Sequence, residues 1–203
     1  PTSSHPKYVI WALILGTLKI TIIGTLVAVP IGLGAAIYLS EYASDKARRI
    51  IKPILEILAG IPTIVFGFFA LTFVTPLLRT FIPQLDSFNS ISPGIVVGVM
   101  IVPIITSMSE DVMASVPNKM REGAYGLGST KFEVATKVVL PAAASGVIAS
   151  IVLGISRAIG ETMIVSLAAG SSPTSSLTLT SSIQTMTGYI VEIATGDATF
   201  GSD

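Results

Sequence analysis

The 203-residue chain contains no cysteine, which excludes disulfides, zinc–thiolate sites and thiol catalysis. Its single histidine, His5, lies in a polar stretch without a metal-ligand partner, so we predict no metal site. No Gly-x-x-x-x-Gly-Lys-Ser/Thr loop for nucleotide phosphates is present, and we predict no catalytic residues and no cofactor. Only 12% of the residues are charged, against about 25% in soluble domains, and the net charge of zero gives no argument for nucleic-acid binding.

Apolar residues make up 51% of the chain, and the mean hydropathy is +0.80. A helix of about 20 apolar residues crosses a bilayer. We therefore predict an all-α, polytopic membrane protein with a single transmembrane domain over residues 1–203. Its four spans are expected at about residues 8–39, 54–78, 91–108 and 138–170.

The basic residues predict the orientation of these spans. Lys7 and Arg79 are the only lysine and arginine on one side of the predicted membrane. The two loops on the other side carry eight: Lys46, Arg48, Arg49, Lys52, Lys119, Arg121, Lys131 and Lys137. Because basic loops stay in the cytoplasm, both ends of this chain are expected outside. The outer tail, residues 171–203, is expected to hold a weakly amphipathic helix from Ser181 to Ile193.

Arg157 and Glu161 lie in the otherwise apolar fourth segment. Four residues apart on a helix, they would share one face and could neutralise each other. A charge at the centre of a bilayer costs about 2.5–3.5 kcal/mol, so the pair is expected to face protein or a water-filled path. It could line an anion path, with Thr162 adding a hydroxyl donor, or it could be a buried ion pair that only fixes helix packing.

Other charged residues near the predicted spans have simpler interpretations. Lys19 is expected to extend its ammonium to the membrane interface. Glu110 and Asp111 follow the third span, and a solvated helix end is favoured there over a gate.

The loop of residues 109–137 is long for a simple connection. A short helix starting near Met120 is expected to end at Gly126 or Gly128, where glycine serves as a helix stop. A second helix is expected after Thr130, since Glu133 three residues later completes a capping-box pattern. Two short helices would form a compact projection on the membrane surface.

This loop resembles the EAA motif of ABC importer permeases, E-A-A-x-x-x-G-x(9)-I-x-L-P. Two positions depart from the motif, because Gly123 replaces the first alanine and Val138 replaces isoleucine. The resemblance implies that the loop docks on a cytoplasmic ATPase. The residues that it implicates are Glu122, Gly123, Ala124, Gly128, Leu140 and Pro141.

Within that family the chain resembles phosphate permeases of the PstC type. The residues that carry this resemblance are Glu41-Tyr42-Ala43, Leu58 to Gly67, Ser156 to Thr162 and Ser182 to Thr187. It implies the MetI-like type I importer fold, here as a fragment lacking flanking helices, in the cytoplasmic membrane. It also implies a phosphate path at Arg157 and Glu161. The implied partners are an ATP-binding ABC ATPase dimer, a PstA-like second permease, an extracytoplasmic phosphate-binding protein and membrane lipid.

Two alternatives stay open from the sequence. One is a permease for another oxyanion, such as sulfate, molybdate or tungstate. The other is a membrane signalling or scaffold subunit that transports nothing.

The predicted orientation can be tested with two single-cysteine variants in this cysteine-free chain. Ser175→Cys should react with an impermeant thiol reagent added to intact cells. Ser129→Cys should react only after the inner face is opened, because its loop carries cytoplasmic basic residues. Labelling of Ser129→Cys in intact cells would contradict the predicted orientation.

Overall fold

A computed structural model describes residues 6–170 and 178–195. The chain divides into two compact units. Unit 1 comprises Pro1–Thr25, Ile61–Val99 and Arg157–Asp203, and unit 2 comprises Leu26–Gly60 and Met100–Ser156. Each unit is described by itself below.

Most of the described residues are helical, with no strand among them, which confirms the all-α class. π-Helical turns at Tyr38–Tyr42, Ala70–Val74 and Val134–Val139 continue helices α1, α3 and α7. The helices are α1 Pro6–Ile37, α2 Asp45–Gly60, α3 Thr63–Phe69, α4 Thr75–Phe81, α5 Ile91–Ala114, α6 Asn118–Gly126, α7 Lys131–Glu133, α8 Leu140–Ala142, α9 Ala144–Ile159, α10 Met163–Ala168 and α11 Met186–Thr195.

Among the described residues, three helical stretches are long and apolar enough to cross a membrane: Ile10–Tyr42, Thr63–Phe81 and Ile91–Ala114. A fourth crossing is possible where Lys131–Ala142 and Ala144–Ile159 form a pair bent by 75°. The third span thus continues beyond residue 108, where the sequence predicted its end.

The second span starts at Thr63 rather than at residue 54. Pro62 has an extended backbone, with φ −58° and ψ 136°. The residues before it form a separate helix, α2, which ends at Gly60. Proline disfavours helical geometry in the residue before it, which explains the break. α2 is amphipathic, carries the basic residues of the first loop, and has no buried residue.

The fourth segment is not the single helix expected over residues 138–170. Ala143 leaves helical geometry at φ −91° and ψ 0°, where the chain bends between α8 and α9. A second interruption follows α9, since Gly160, Glu161 and Thr162 lie outside α9 and α10. Glycine weakens a helix, and the side chain of Glu161 offers the backbone an alternative partner.

In unit 1, α10 packs against α3 at a position without a side chain. A Cβ atom on Gly67 would lie 2.8 Å from Leu167 Cδ1 and 3.1 Å from Ile164 Cα. Ile164 is fully buried. Glycine at this site therefore permits the close approach of the two helices.

The segment before α11 is held by backbone hydrogen bonds within unit 1. Leu179 O accepts from the N–H of Ser90 at 3.2 Å, and Ala169 O accepts from the N–H of Ile183 at 3.0 Å. The helix predicted from Ser181 begins at Met186, with Thr185 Oγ1 accepting from the N–H of Gly188 at 3.2 Å. Residues 178–185 make tertiary backbone bonds instead, which explains the later start.

The core of unit 2 joins the end of α1, α5, the segment between α5 and α9, and α9 itself. Leu33, Ala124 and Leu140 pack against it from its edge. Its buried members are Ala36, Met113, Val116, Val134, Val139, Ala143 and Val147.

The close packing at Gly67 predicts opposite effects for two glycine-to-alanine substitutions. Gly67→Ala should lower stability by about 1 kcal/mol or more, since overpacking costs about 1–3 kcal/mol and helix propensity returns at most about 1. Gly34→Ala, in α1 with open space around the site, should be neutral or stabilising. Thermal unfolding in detergent measures both, and equal melting temperatures would contradict the assigned packing.

Candidate functional site

The break between α9 and α10 is organised by the Glu161 side chain. Its Oε1 accepts hydrogen bonds from the N–H of Met163 at 3.1 Å and of Ile164 at 3.3 Å. Glu161 is 8% exposed. A carboxylate at the start of a helix satisfies N–H groups that have no partner within that helix. The Glu161 carboxylate therefore bonds backbone N–H groups at the break, and Glu161 does not lie on a continuous helical face.

The prediction that Arg157 and Glu161 share one helix is wrong, because α9 ends at Ile159. No ion pair joins them within the described part of the chain. Arg157 lies in the last turn of α9 with an exposed side chain. It makes no hydrogen bond or ion pair with another described residue.

Thr162 lies within this break, as its sequence position requires. Its Oγ1 donates to Gly160 O at 3.3 Å, so the hydroxyl bonds its own turn. The carbonyl oxygen of Glu161 accepts from Thr187 Oγ1 at 3.0 Å, which ties the break to α11. The three predicted path residues thus all belong to unit 1.

Unit 1 also buries polar groups that sequence reasoning missed or misplaced. Lys19 is 9% exposed and its Nζ donates to Thr178 O at 3.2 Å, so its ammonium is held within unit 1. Gln184 is 5% exposed and donates through Nε2 to Glu192 Oε2. The sequence signal for the Gln184–Glu192 pair was a glutamine in the short segment before α11.

The six residues of the predicted ATPase-coupling motif divide by exposure. Ala124 and Leu140 pack on the core of unit 2. The exposed members are Glu122, Gly123, Gly128 and Pro141. Two residues of the motif therefore anchor the loop on the core, and the other four lie at the protein surface.

The local structure of this loop follows the sequence prediction. α6 ends at Gly126, and Gly128 has a φ of +85°, a left-handed conformation that glycine adopts without steric cost. The capping box at Thr130 and Glu133 is confirmed, with Thr130 Oγ1 accepting from the N–H of Glu133 at 3.3 Å. The turn and the cap together fix the angle between α6 and α7.

In unit 2, Glu110 lies in a cluster of acidic and basic side chains. The prediction of a solvated helix end at Glu110 is therefore wrong. The Glu110 side chain is 1% exposed, and its carboxylate lies 2.5 Å from Lys52 Nζ and 3.5 Å from Arg48 Nε. Asp111 is exposed and pairs with Lys52 at 3.2 Å. The hydrogen bond to Glu110, reinforced by Asp111, raises the pKa of Lys52 above its usual value. These pairs hold α2 against α5.

The comparisons with known proteins agree with this architecture. A family model described as binding-protein-dependent transport system inner membrane component matches residues 28–200. The chain is 37% identical over 205 residues to the probable ABC transporter permease protein YqgH of Bacillus subtilis (strain 168), covering 100% of this chain and 65% of that protein. It is 39% identical over 178 residues to the phosphate transport system permease protein PstC of Haemophilus influenzae (strain ATCC 51907 / DSM 11121 / KW20 / Rd), covering 78% and 56%.

A solved structure of the MetNI methionine ABC transporter in an inward-facing conformation matches the fold. Its TM-score is 0.65 at 21% identity, and the match covers 78% of this chain and 74% of that chain. The fold is therefore that of an ABC importer permease, a multi-pass membrane protein. The chain belongs to the family of binding-protein-dependent transport system inner membrane components. It spans a little over half the length of the PstC relatives.

Substitutions of Glu161 test its role at the helix break. Glu161→Ala should lower stability by about 1–3 kcal/mol, because the N–H groups of Met163 and Ile164 lose their acceptor. Glu161→Gln retains one acceptor oxygen and should cost less. Thermal unfolding of the purified chain distinguishes the two, and an equal loss in both would show that the charge, not the acceptor, matters.

Proposed function

We propose that this chain is a transmembrane subunit of an ATP-driven importer that carries inorganic phosphate across the cytoplasmic membrane. The observation that carries the proposal is Arg157, an exposed guanidinium without a partner among the described residues, at the end of an apolar helix. Similarity to permeases named for phosphate transport supports the choice of substrate.

The chemistry of Arg157 suits phosphate. A guanidinium presents several N–H donors in a planar fork that matches two phosphate oxygens. An uncompensated cation at membrane depth is costly, so a passing anion is stabilised there. The apolar surroundings would exclude a strongly hydrated anion without such a group.

Glu161 sets a limit on how tightly phosphate binds. Its carboxylate is fixed by two backbone N–H groups rather than by Arg157, and it remains close along the chain to the proposed path. A fixed negative charge weakens anion binding, and a path must release what it binds. Thr162 contributes to the path by shaping the turn, since its hydroxyl already donates to Gly160 O.

The cytoplasmic loop is the proposed docking site of the ATPase. Large apolar side chains project from it, with Leu127 90%, Phe132 68% and Met120 46% exposed. Exposed apolar groups in a cluster are typical of protein interaction sites. Glu122, Gly123, Gly128 and Pro141 are surface positions of the same loop and are proposed to contact the ATPase, while Ala124 and Leu140 anchor it.

The remaining partners follow from this function. ATP hydrolysis is proposed to occur in the docked ATPase dimer and to drive alternating access. A second, PstA-like permease would complete the path, and an extracytoplasmic phosphate-binding protein would deliver the substrate. Membrane lipid would surround the exposed apolar helices, with both ends of this chain outside.

Substitution of Arg157 tests its role in the path. Arg157→Gln should abolish ATP-dependent phosphate uptake in an assembled complex, because charge-assisted hydrogen bonds worth about 1.5–3 kcal/mol each are lost. Arg157→Lys keeps the charge without the fork and should give intermediate uptake. Uptake into proteoliposomes, normalised to the assembled complex, is the measurement.

Ser156→Ala is the matched control, since its hydroxyl is exposed and, within the described part of the chain, bonds only Val152 O of its own helix. It should transport at the wild-type rate. Wild-type uptake by Arg157→Gln would remove this residue from the path.

Substitution of Leu127 tests the docking surface. Leu127→Asp should prevent co-purification of the ATPase while the permease still folds, because a nearly fully exposed side chain contributes little to its own fold. Leu127→Met, which keeps an apolar side chain of similar volume, should retain the ATPase. If Leu127→Asp co-purifies with the ATPase as the wild type does, the docking surface lies elsewhere.

A further inference from the structure

The π-helical turn Tyr38–Tyr42 at the end of α1 makes side-chain contacts with the cytoplasmic loop. Glu41 pairs with Arg121 of α6, with Arg121 Nη2 2.9 Å from Glu41 Oε1. The side chains are 5% and 13% exposed. Arg121 Nε also lies 3.3 Å from both carboxylate oxygens, so the guanidinium donates to the carboxylate through two nitrogens. The pair joins residues 80 positions apart in the sequence.

Arg121 connects this carboxylate to a third helix end. Its Nη2 donates to Met113 O at 2.8 Å and its Nη1 to Val116 O at 2.5 Å. Asn118 Oδ1 accepts a further hydrogen bond from Nη1 at 3.2 Å. One guanidinium therefore fixes the end of α1, the end of α5 and the first turn of α6 in a single arrangement.

Tyr42, the next residue after Glu41, contacts the second helix of the loop. Lys131 Nζ lies 5.7 Å from the centroid of the Tyr42 ring, within the range of a cation–π interaction. Lys131 begins α7, directly after the left-handed turn at Gly128 and the Thr130 cap. Two adjacent residues at the end of α1 thus touch α6 and α7 separately.

We propose that Glu41 and Tyr42 form a clamp that passes movement of the cytoplasmic loop to the end of α1. The inference rests on the proposed function, because it needs an ATPase that moves the loop. Glu41 and Tyr42 are positioning residues, since neither is placed on the docking surface or in the phosphate path.

The geometry favours transmission of loop movement to α1 over a purely static attachment. The clamp holds the loop at two points on opposite sides of the Gly128 turn, so both rotation and translation of the loop act on α1. The clamp lies on a π-helical turn, a feature often found at functional sites because its hydrogen-bond register differs from that of the flanking α-helix. A change of register there would shift the end of α1 without breaking its remaining backbone bonds.

The test follows loop movement and α1 movement separately in the complete importer complex. Hydrogen exchange is measured in lipid nanodiscs with and without a non-hydrolysable ATP analogue, a probe that does not depend on the transported solute. In the wild type we expect the analogue to change exchange in α6–α7 and in Tyr38–Tyr42. In Glu41→Gln we expect the change in α6–α7 to persist and the change in Tyr38–Tyr42 to fall about tenfold, within the usual range of coupling between sites.

Tyr42 variants keep the test decisive if Glu41→Gln fails to assemble. Tyr42 is 40% exposed, so its substitution is tolerated more easily. Tyr42→Leu removes the aromatic face and should reduce the response of Tyr38–Tyr42, whereas Tyr42→Phe keeps the face and should respond as the wild type does. Glu56→Gln, an exposed carboxylate on α2, is the control for loss of a negative charge.

The outcomes separate the clamp from the function on which it rests. If the analogue leaves α6–α7 unchanged in the wild type, the docking part of the proposed function fails, and the clamp with it. If α6–α7 responds but Tyr38–Tyr42 responds equally in the wild type, Tyr42→Leu and any assembled Glu41→Gln, the clamp alone is overturned. A complex that transports another oxyanion leaves this test unchanged.

Discussion

The absence of water in a bilayer core determines most features of this fold. Every backbone N–H and carbonyl at that depth needs a partner within the protein. Where α9 stops, the Glu161 carboxylate accepts from two N–H groups of the next helix. Within α1, the hydroxyls of Thr17 and Thr21 donate to carbonyls four residues earlier, at 2.9 and 2.8 Å. The interruption after α9 is thus tolerated because the Glu161 side chain takes up the N–H groups released there.

The same constraint explains how the charged residues divide. In unit 2 the Glu110 and Glu41 carboxylates are nearly fully buried, and each pairs with a basic residue. Such pairs fix helix ends next to the segment between α5 and α9, and removal of one partner would leave a buried charge. Arg157 differs from them, since it lies at the end of an apolar helix without a partner among the described residues. That contrast, more than its charge alone, supports a role with a mobile anion.

Local features of the fold could be predicted from the sequence, whereas long-range features could not. The capping box at Thr130 and the stop at Gly126 depend on a few neighbouring residues, and both were predicted correctly. The Glu41–Arg121 pair was missed because nothing in either segment specifies a partner 80 residues away. The break at Glu161 was missed because apolar residues on both sides suggested one helix, and the competing side-chain bonds are not encoded in hydrophobicity.

The transported solute is the central question after the family assignment, because oxyanions share negative charge and oxygens that accept hydrogen bonds. The direct measurement is ATP-driven uptake of radiolabelled phosphate by the complete complex in proteoliposomes, with excess unlabelled sulfate, molybdate or tungstate. We expect unlabelled phosphate to suppress the uptake and the other three oxyanions to leave it unchanged. Suppression by one of them at a lower concentration than phosphate, together with its own ATP-driven uptake, would contradict a phosphate importer.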